Sequence, residues 1–344
     1  MLEQITFPSG TVNYYFHSKV ELLWELFATR QVVLITDKNI ASLYPALFRG
    51  RNTIVLQGGE TSKEYSTVVS ICNRLVEFEA TRSTLLIGIG GGVITDITGF
   101  VASVYMRGVS FGFVPTSLLC MVDAAIGGKN GINLGLHKNM MGTITQPEFI
   151  LYDTRFLKTL PDAEWSNGFA EIIKYGCIFD APMFEELRNS TLAAYRSDSN
   201  ALQSVIDRCV HWKNITVQTD EHEKGIRKLL NFGHTAGHAI ETLYKIPHGN
   251  AVGVGMLIAC EISTAVNGLN PNTSWQLLLT LTQYNLPTQI PISVPNIMSI
   301  LRSDKKRNKN TIDYIVLTAP GNATIKPLPF NVIENALNTY ESNN

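Results

Sequence analysis

Through the first half of the chain, short apolar runs alternate with segments of helical periodicity; in the second half the helical period dominates. Residues 31–37, 52–57, 83–89 and 109–114 are aliphatic and β-branched runs of strand length. Between the second and third of them, 62–79 sets Val68, Ile71 and Leu75 at helical spacing. The third run feeds a glycine cluster and a helix expected from about Asp96, and Pro115 closes the fourth. Strands and helices in this alternation predict a parallel sheet with covering helices. The pattern changes at Leu160-Pro161-Asp162. Pro161 suits the first position of a helix, and Asp162 and Glu164 put carboxylates at the favourable end of its dipole. From there to about Leu281 the chain reads as helix, with 201–220 and 235–244 the clearest stretches, and a single late strand is expected over 311–317. The expectation is an α/β domain over 1–160 and a mainly helical domain over 161–344, which the length of 344 residues accommodates.

Composition narrows the partners. Apolar residues make up 45% and charged residues 17%, as in a globular chain. Lys+Arg 28 against Asp+Glu 29 gives a net charge of −1, so neither nucleic acid nor a membrane surface is expected as a partner. An anionic ligand must then be held by a local cluster of bases. Cysteines stand at 72, 120, 177, 209 and 260 with no C-x-x-C pair, which fits small buried apolar residues in a reducing compartment. Met1-Leu-Glu-Gln-Ile shows no basic region followed by an apolar run, and the apolar stretch 84–106 is broken by five glycines and Asp96. A cytoplasmic protein is the expectation.

Three groups of residues carry candidate chemistry. Gly88-Ile-Gly-Gly-Gly-Val-Ile-Thr-Asp96 follows a strand and opens a helix, where backbone can approach a phosphate and the helix N-terminus favours negative charge. The common G-x-G-x-x-G fingerprint fails at Val93, and a plain tight turn is the alternative. Asp37 at a strand end could accept from ribose hydroxyls or stay solvated. Glu60 and Lys63 could hold sugar hydroxyls or cap a helix. The second group is metal-like. Four of seven histidines lie between 222 and 248, His234 and His238 share a helix face one turn apart, and His248 follows ten residues later. Glu171 stands in an apolar helical stretch, where it could complete a metal site or simply pair with Lys174 at i, i+3. The third group is basic: Arg107, Lys129, Lys138, Lys213 and Arg227, in the company of glycine, asparagine and apolar residues, and Lys305-Lys306 after Asp304, which suits a ligand carrying both phosphate and carboxylate.

Taken in order, seven blocks resemble the dehydroquinate synthase family of sugar phosphate cyclases. They are Gly-Gly-Gly-Val-Ile-Thr-Asp96, Tyr-Met-Arg107-Gly, Val-Pro-Thr116-Ser117-Leu-Leu, Val-Asp123-Ala-Ala-Ile-Gly-Gly-Lys129, Lys138-Asn139-Met-Met-Gly, Gly-Phe-Ala-Glu171-Ile-Ile-Lys174-Tyr-Gly and Leu-Asn231-Phe-Gly-His234-Thr-Ala-Gly-His238-Ala-Ile-Glu. The resemblance spans roughly residues 30 to 320. It implies a Rossmann-like NAD-binding α/β N-terminal domain, an all-α metal-binding C-terminal domain and an active site in the cleft between them. By position it implies Glu171, His234 and His248 as ligands of one divalent ion, zinc or cobalt, and moves His238 to the phosphate side of the substrate. Asp37, Glu60, Lys63, Gly92, Val93, Asp96, Thr116, Ser117, Lys129, Lys138, Phe156 and Thr159 match cofactor positions. Asp123, Lys129, Lys138, Asn139, Lys174, Lys213, Arg227, Asn231, His238 and Lys306 (or Lys305) match substrate-side positions. Arg107 matches an arginine that reaches a neighbouring subunit's site, which implies a homodimer. His137 and Asn130 depart from the family's usual Gly and Thr.

The implied activity is conversion of a phosphorylated seven-carbon sugar acid to 3-dehydroquinate and phosphate by transient NAD-dependent oxidation, elimination, re-reduction and aldol closure. Other readings are a sister cyclase making inosose or valiolone rings, a metal-dependent polyol dehydrogenase, and a non-catalytic binder. The first two need no double anion clamp.

Overall fold

The strand expected over 83–89 lies near the middle of a seven-stranded sheet, and its two faces explain the glycines that follow it. The computed structural model describes residues 1–135, 137–303, 307, 308 and 310–342. Its strands are β1 (Leu2–Phe7), β2 (Gly10–Tyr15), β3 (Val32–Asp37), β4 (Thr53–Leu56), β5 (Leu85–Gly90), β6 (Ser110–Pro115), β7 (Lys129–Leu134), β8 (His137–Ile144) and β9 (Phe149–Leu151) in the first part of the chain. The large sheet runs β1-β2-β9-β6-β5-β3-β4, parallel throughout except for the β1–β2 hairpin. All of β5 is buried, as a parallel strand covered on both faces must be. Leu85, Ile87 and Ile89 point one way into a cluster with Leu34, Val114, Phe149 and Phe156. Each such side chain contributes about 1.5–3 kcal/mol by leaving water.

The opposite face of β5 carries Gly88 and Gly90. A Cβ on Gly88 would stand 2.7 Å from Thr98 Oγ1, and one on Gly90 2.6 Å from Ile94 Cβ. The helix Gly92–Val104 therefore lies directly on the strand. It starts at Gly92 and not near Asp96, because the glycine run is already helical from its third member. The segment 62–79 forms the helix Tyr65–Glu77 with Val68, Ile71 and Leu75 buried. β7 and β8 make a separate antiparallel hairpin.

Two compact units divide the chain: Met1–Pro161 with Lys213–His222, and Asp162–Trp212 with Glu223–Asn344. The second is mainly helical. In its helix Asp162–Ile178, every residue from Trp165 to Ile178 is buried. Its helix His248–Asn267 is long and apolar enough to cross a membrane, but 72% of that stretch is buried within the fold, so its apolarity serves the core. The late strand is not single. β11 (Thr311–Ala319) pairs antiparallel with β10 (Arg307–Asn308) and β12 (Asn322–Pro329). All five cysteines are unbridged, and four are buried.

Candidate active site

In the second unit three elements bring an acid and two imidazoles together. Glu171 comes from the middle of the helix Asp162–Ile178, and its side chain and that of Lys174 are each only 1% exposed. Lys174 is ion-paired with it, so the pairing expected from i, i+3 spacing is present. His234 opens the helix His234–Tyr244 directly after Gly233, whose φ of +75° favours glycine. That start is pressed against the next helix: a Cβ on Gly255 would fall 1.9 Å from the Gly233 carbonyl oxygen. His248 opens that next helix, and the Gly249 amide donates to Asn167 Oδ1 on the Glu171-bearing helix at 3.0 Å.

The result is that His248 Nε2 lies 3.3 Å and His234 Nε2 3.4 Å from the same oxygen, Glu171 Oε1. Their outer nitrogens are engaged elsewhere. His234 Nδ1 is 3.0 Å from the Phe232 carbonyl oxygen, and His248 Nδ1 is 3.1 Å from Glu241 Oε2. Each Nδ1 faces an acceptor and so carries the proton in the neutral ring, leaving an Nε2 lone pair aimed at the carboxylate. Lone pairs converging on an anion call for a cation between them. Separations of 3.3–3.4 Å also match the edge of a tetrahedron with bonds of about 2.0–2.1 Å to zinc. The donor set, one carboxylate and two imidazoles within 4.8 Å of one another, thus fits a divalent ion with a position left open.

Without an ion, the two rings differ in charge. Burial alone would raise the Glu171 carboxyl, but Lys174, His234 and His248 overcome it and hold the group well below the usual range. Burial and the Lys174 charge lower His234 to about 3. Burial also opposes charge on His248, yet its bonds to Glu171 and Glu241 bring it up to about 9.

His234 and His238 share a helix face, but His238 does not join the group around Glu171. Their rings are neighbours, with centroids 5.0 Å apart, but His238 is exposed. It groups instead with Glu241 and His248. Glu241 was not singled out from the sequence; its signal was its place one turn beyond His238. Nearby in the same unit, Arg227 is buried in the turn Ile226–Asn231, and Asn231 donates to Glu223 Oε1 at 2.6 Å. Lys305 and Lys306 lie outside the described residues.

The first unit gathers much of the other predicted set. Lys63, 4% exposed, donates to Asp96 Oδ2 and Asn139 Oδ1, both at 2.6 Å. Burial raises the Asp96 carboxyl, and Lys63 opposes that. Asn133, not anticipated, ties this network together: it donates to Glu60 Oε1 and accepts from the Asn139 amide. Buried Lys213 pairs with Asp123 Oδ1 at 2.8 Å and also donates to the Asp123 carbonyl. Asp37 caps the helix Lys38–Leu43 through Oδ1. Gly92 sits at a helix start that no side chain caps, with a would-be Cβ 3.1 Å from Ala124, and Val93 follows it half-buried. Thr116 is buried, and its amide donates to Gly90 O. Ser117 Oγ accepts from the Cys120 amide. The Phe156 ring belongs to the core, against Tyr44, whose hydroxyl meets Thr159 Oγ1 at 2.9 Å. Lys129, Lys138 and His137 are exposed on the β7–β8 hairpin. Arg107 is exposed where the backbone turns through positive φ at Met106 and Arg107. Asn130 is structural: buried, it donates to Gly128 O and Thr145 O and so fixes the turn before Lys129.

Comparison with known proteins identifies the family. The family model for the 3-dehydroquinate synthase N-terminal domain matches residues 53–167, and that for the C-terminal domain matches 168–307. The chain belongs to the 3-dehydroquinate synthase family. A member from Leptospira interrogans serogroup Icterohaemorrhagiae serovar copenhageni (strain Fiocruz L1-130) is 36% identical over 334 residues, 93% of this chain and 92% of that protein. Another, from Dichelobacter nodosus (strain VCS1703A), is 38% identical over 315 residues, covering 88% and 85%. Among solved structures, ValA, a 2-epi-5-epi-valiolone synthase from Streptomyces hygroscopicus subsp. jinggangensis 5008 with NAD+ and Zn2+ bound, superposes with a TM-score of 0.88 at 26% identity, covering 100% and 99%. A 2-deoxy-scyllo-inosose synthase complexed with carbaglucose-6-phosphate, NAD+ and Co2+ gives 0.86 at 25%, covering 99% and 100%.

Proposed function

We propose that the chain is a 3-dehydroquinate synthase, a phosphorus–oxygen lyase converting 3-deoxy-D-arabino-heptulosonate 7-phosphate to 3-dehydroquinate and phosphate in the shikimate pathway. The observation that carries this reading is the convergence of Glu171, His234 and His248 beside buried Lys174, in a chain matching both domain models of that family. Glu171, His234 and His248 would hold one zinc or cobalt ion. Asp37, Glu60, Lys63, Gly92, Val93, Asp96, Thr116, Ser117, Lys129, Lys138, Phe156 and Thr159 would serve NAD. When bound, the ion supplies Lewis acidity toward the substrate hydroxyls and the nicotinamide a transient, fully reversed oxidation.

The chain's own residues do the rest. Asp123, Lys129, Lys138, Asn139, Lys213, Arg227, Asn231, His238 and Lys306 grip the anionic and hydroxyl groups, so that phosphate loss and ring closure proceed in one geometry. Lys174, held at Glu171, keeps the buried carboxylate ionised at neutral pH. Arg107, exposed on a kinked turn, would reach a second copy, making the enzyme a homodimer. A cytoplasmic location accompanies this reading. The sister cyclases that superpose well are 25–26% identical, against 36–38% for the synthases quoted, which ranks dehydroquinate formation ahead.

The test supplies the heptulosonate phosphate with catalytic NAD+ and follows phosphate release and NADH. Release without net NADH is expected, with His234→Ala losing activity and bound metal together. Accumulating NADH, or neither product, would overturn the assignment.

A further inference from the structure

Glu241 is a carboxylate in an awkward place. It lies in the last turn of the helix His234–Tyr244, at the negative end of the helix dipole, and its side chain is only 13% exposed. Both circumstances disfavour its charge unless something opposite offsets them. What faces it is His248 Nδ1, 3.1 Å from Oε2. The other nitrogen of that ring faces Glu171 Oε1 at 3.3 Å.

We infer that Glu241 is a positioning residue for the metal centre. Its carboxylate accepts the Nδ1 proton of His248, fixes the ring's tautomer and rotation, and thereby aims the Nε2 lone pair at the ion held with Glu171 and His234. The inference rests on the metal reading given above. The Phe232 carbonyl does the same for His234, so each imidazole is backed by one acceptor, a main-chain oxygen for one and a carboxylate for the other.

Glu241 also falls in a rival donor group, with His238 and His248. The two groups exclude each other at His248. A neutral imidazole has one lone pair, so a ring ligating through Nδ1 toward Glu241 would present N–H, not a ligand, toward Glu171. Burial decides between them: the Glu171 and His234 side chains are 1% and 11% exposed, whereas His238 is exposed. An ion at the rival group would also leave the Glu171 carboxylate facing two imidazoles with only Lys174 to balance it.

The experiment compares the full chain with Glu241→Gln and Glu241→Ala, each stripped of metal and titrated with Co2+ against a competing chelator, read by visible absorption. The glutamine oxygen still accepts from Nδ1–H; alanine offers nothing. Glu241→Ala is expected to bind cobalt about 10–100-fold more weakly and Glu241→Gln within roughly threefold of wild type. All three should share the same band positions, because the ligands are unchanged. Should the alanine variant fail to fold, Glu241→Leu fills the space without an acceptor and carries the same expectation. Wild-type affinity in the alanine or leucine variant, an equal loss in glutamine and alanine, or bands that move in Glu241→Gln would each overturn the inference. If the wild-type chain itself bound no cobalt, the metal reading would fall first and this one with it.

Discussion

At the scale of single residues, charge placement in the second unit has consequences that can be read by pH. Asp180 is buried and caps the helix Ala181–Arg188 through the Met183 amide. Both its oxygens accept from Arg208, and Oδ2 also from the Trp212 indole at 3.0 Å. Burial tends to raise its carboxyl, but Arg208, Trp212 and the Met183 amide prevail and lower it. A depressed acid stabilises the fold above its unfolded-chain pKa of about 3.9, and that contribution fades as the pH falls through the folded value. Asp180→Asn keeps a cap but loses the paired charge. Partial exposure of Arg208 screens the pair, so the expected cost near neutral pH is about 1–2 kcal/mol, and it is smaller at pH 3, below the unfolded-chain value. Urea denaturation of both proteins at the two pH values checks it; a penalty independent of pH would mean that the charge does not matter. The same logic separates legible from illegible residues. Glu171 and Lys174 stand three apart on one helix, so their pairing could be read from spacing. Glu241 and His248 meet across a helix–helix turn, and only the fold brings them together.

Between elements, glycine spacing is what sets the site. The glycines at 88–92 are legible as a turn between a strand and a helix, whereas at Gly233 only the helix that follows, over 235–244, is expected. Hidden in the sequence was the partner of each glycine: Thr98 and Ile94 for β5, the Gly233 carbonyl for Gly255. The β7–β8 hairpin is not legible for a related reason: β7 buries Asn130 and Gly131 beside Ile132, and β8 exposes Met140, so apolarity does not alternate with burial. Two glycines on one helix make a controlled comparison. Ala at 255 must displace the main chain of Gly233, 1.9 Å away, and with it His234; the expected loss is about 3 kcal/mol together with weaker metal retention. Ala at 253 meets Leu281 Cδ2 at 3.5 Å and Leu281 Cδ1 and Leu286 Cβ at 3.9 Å, all ordinary contacts, and should be neutral or stabilising by up to about 1 kcal/mol, as helix propensity dictates. Urea midpoints and metal content of Gly255→Ala and Gly253→Ala read both effects, and equal behaviour of the two would remove the close-packing explanation.

For the whole molecule, the change of pattern at Leu160-Pro161-Asp162 coincides with the end of the first unit's main segment, because a proline-opened helix is a local event written in local residues. The grouping of Lys213–His222 with the first unit had no such mark: the helix Ser199–Thr219 keeps one period along its whole length. Its consequence is chemical, since it brings Lys213 to Asp123. The two units also allow the metal's contribution to be measured apart from catalysis. An ion that binds only the folded second unit stabilises it by about 2.7 kcal/mol at a hundredfold excess over Kd. For a unit of this size that is a shift of roughly 5–10 °C. Three of the four tryptophans, Trp165, Trp212 and Trp275, belong to the second unit, so tryptophan emission during heating reports mainly there. Chelation should lower that transition and added cobalt or zinc should restore it, while His234→Ala should melt at one temperature under all three conditions, because its donor set is one imidazole short. A wild-type transition indifferent to chelator would mean that Glu171, His234 and His248 are held together by Lys174 and their own hydrogen bonds, with no ion required.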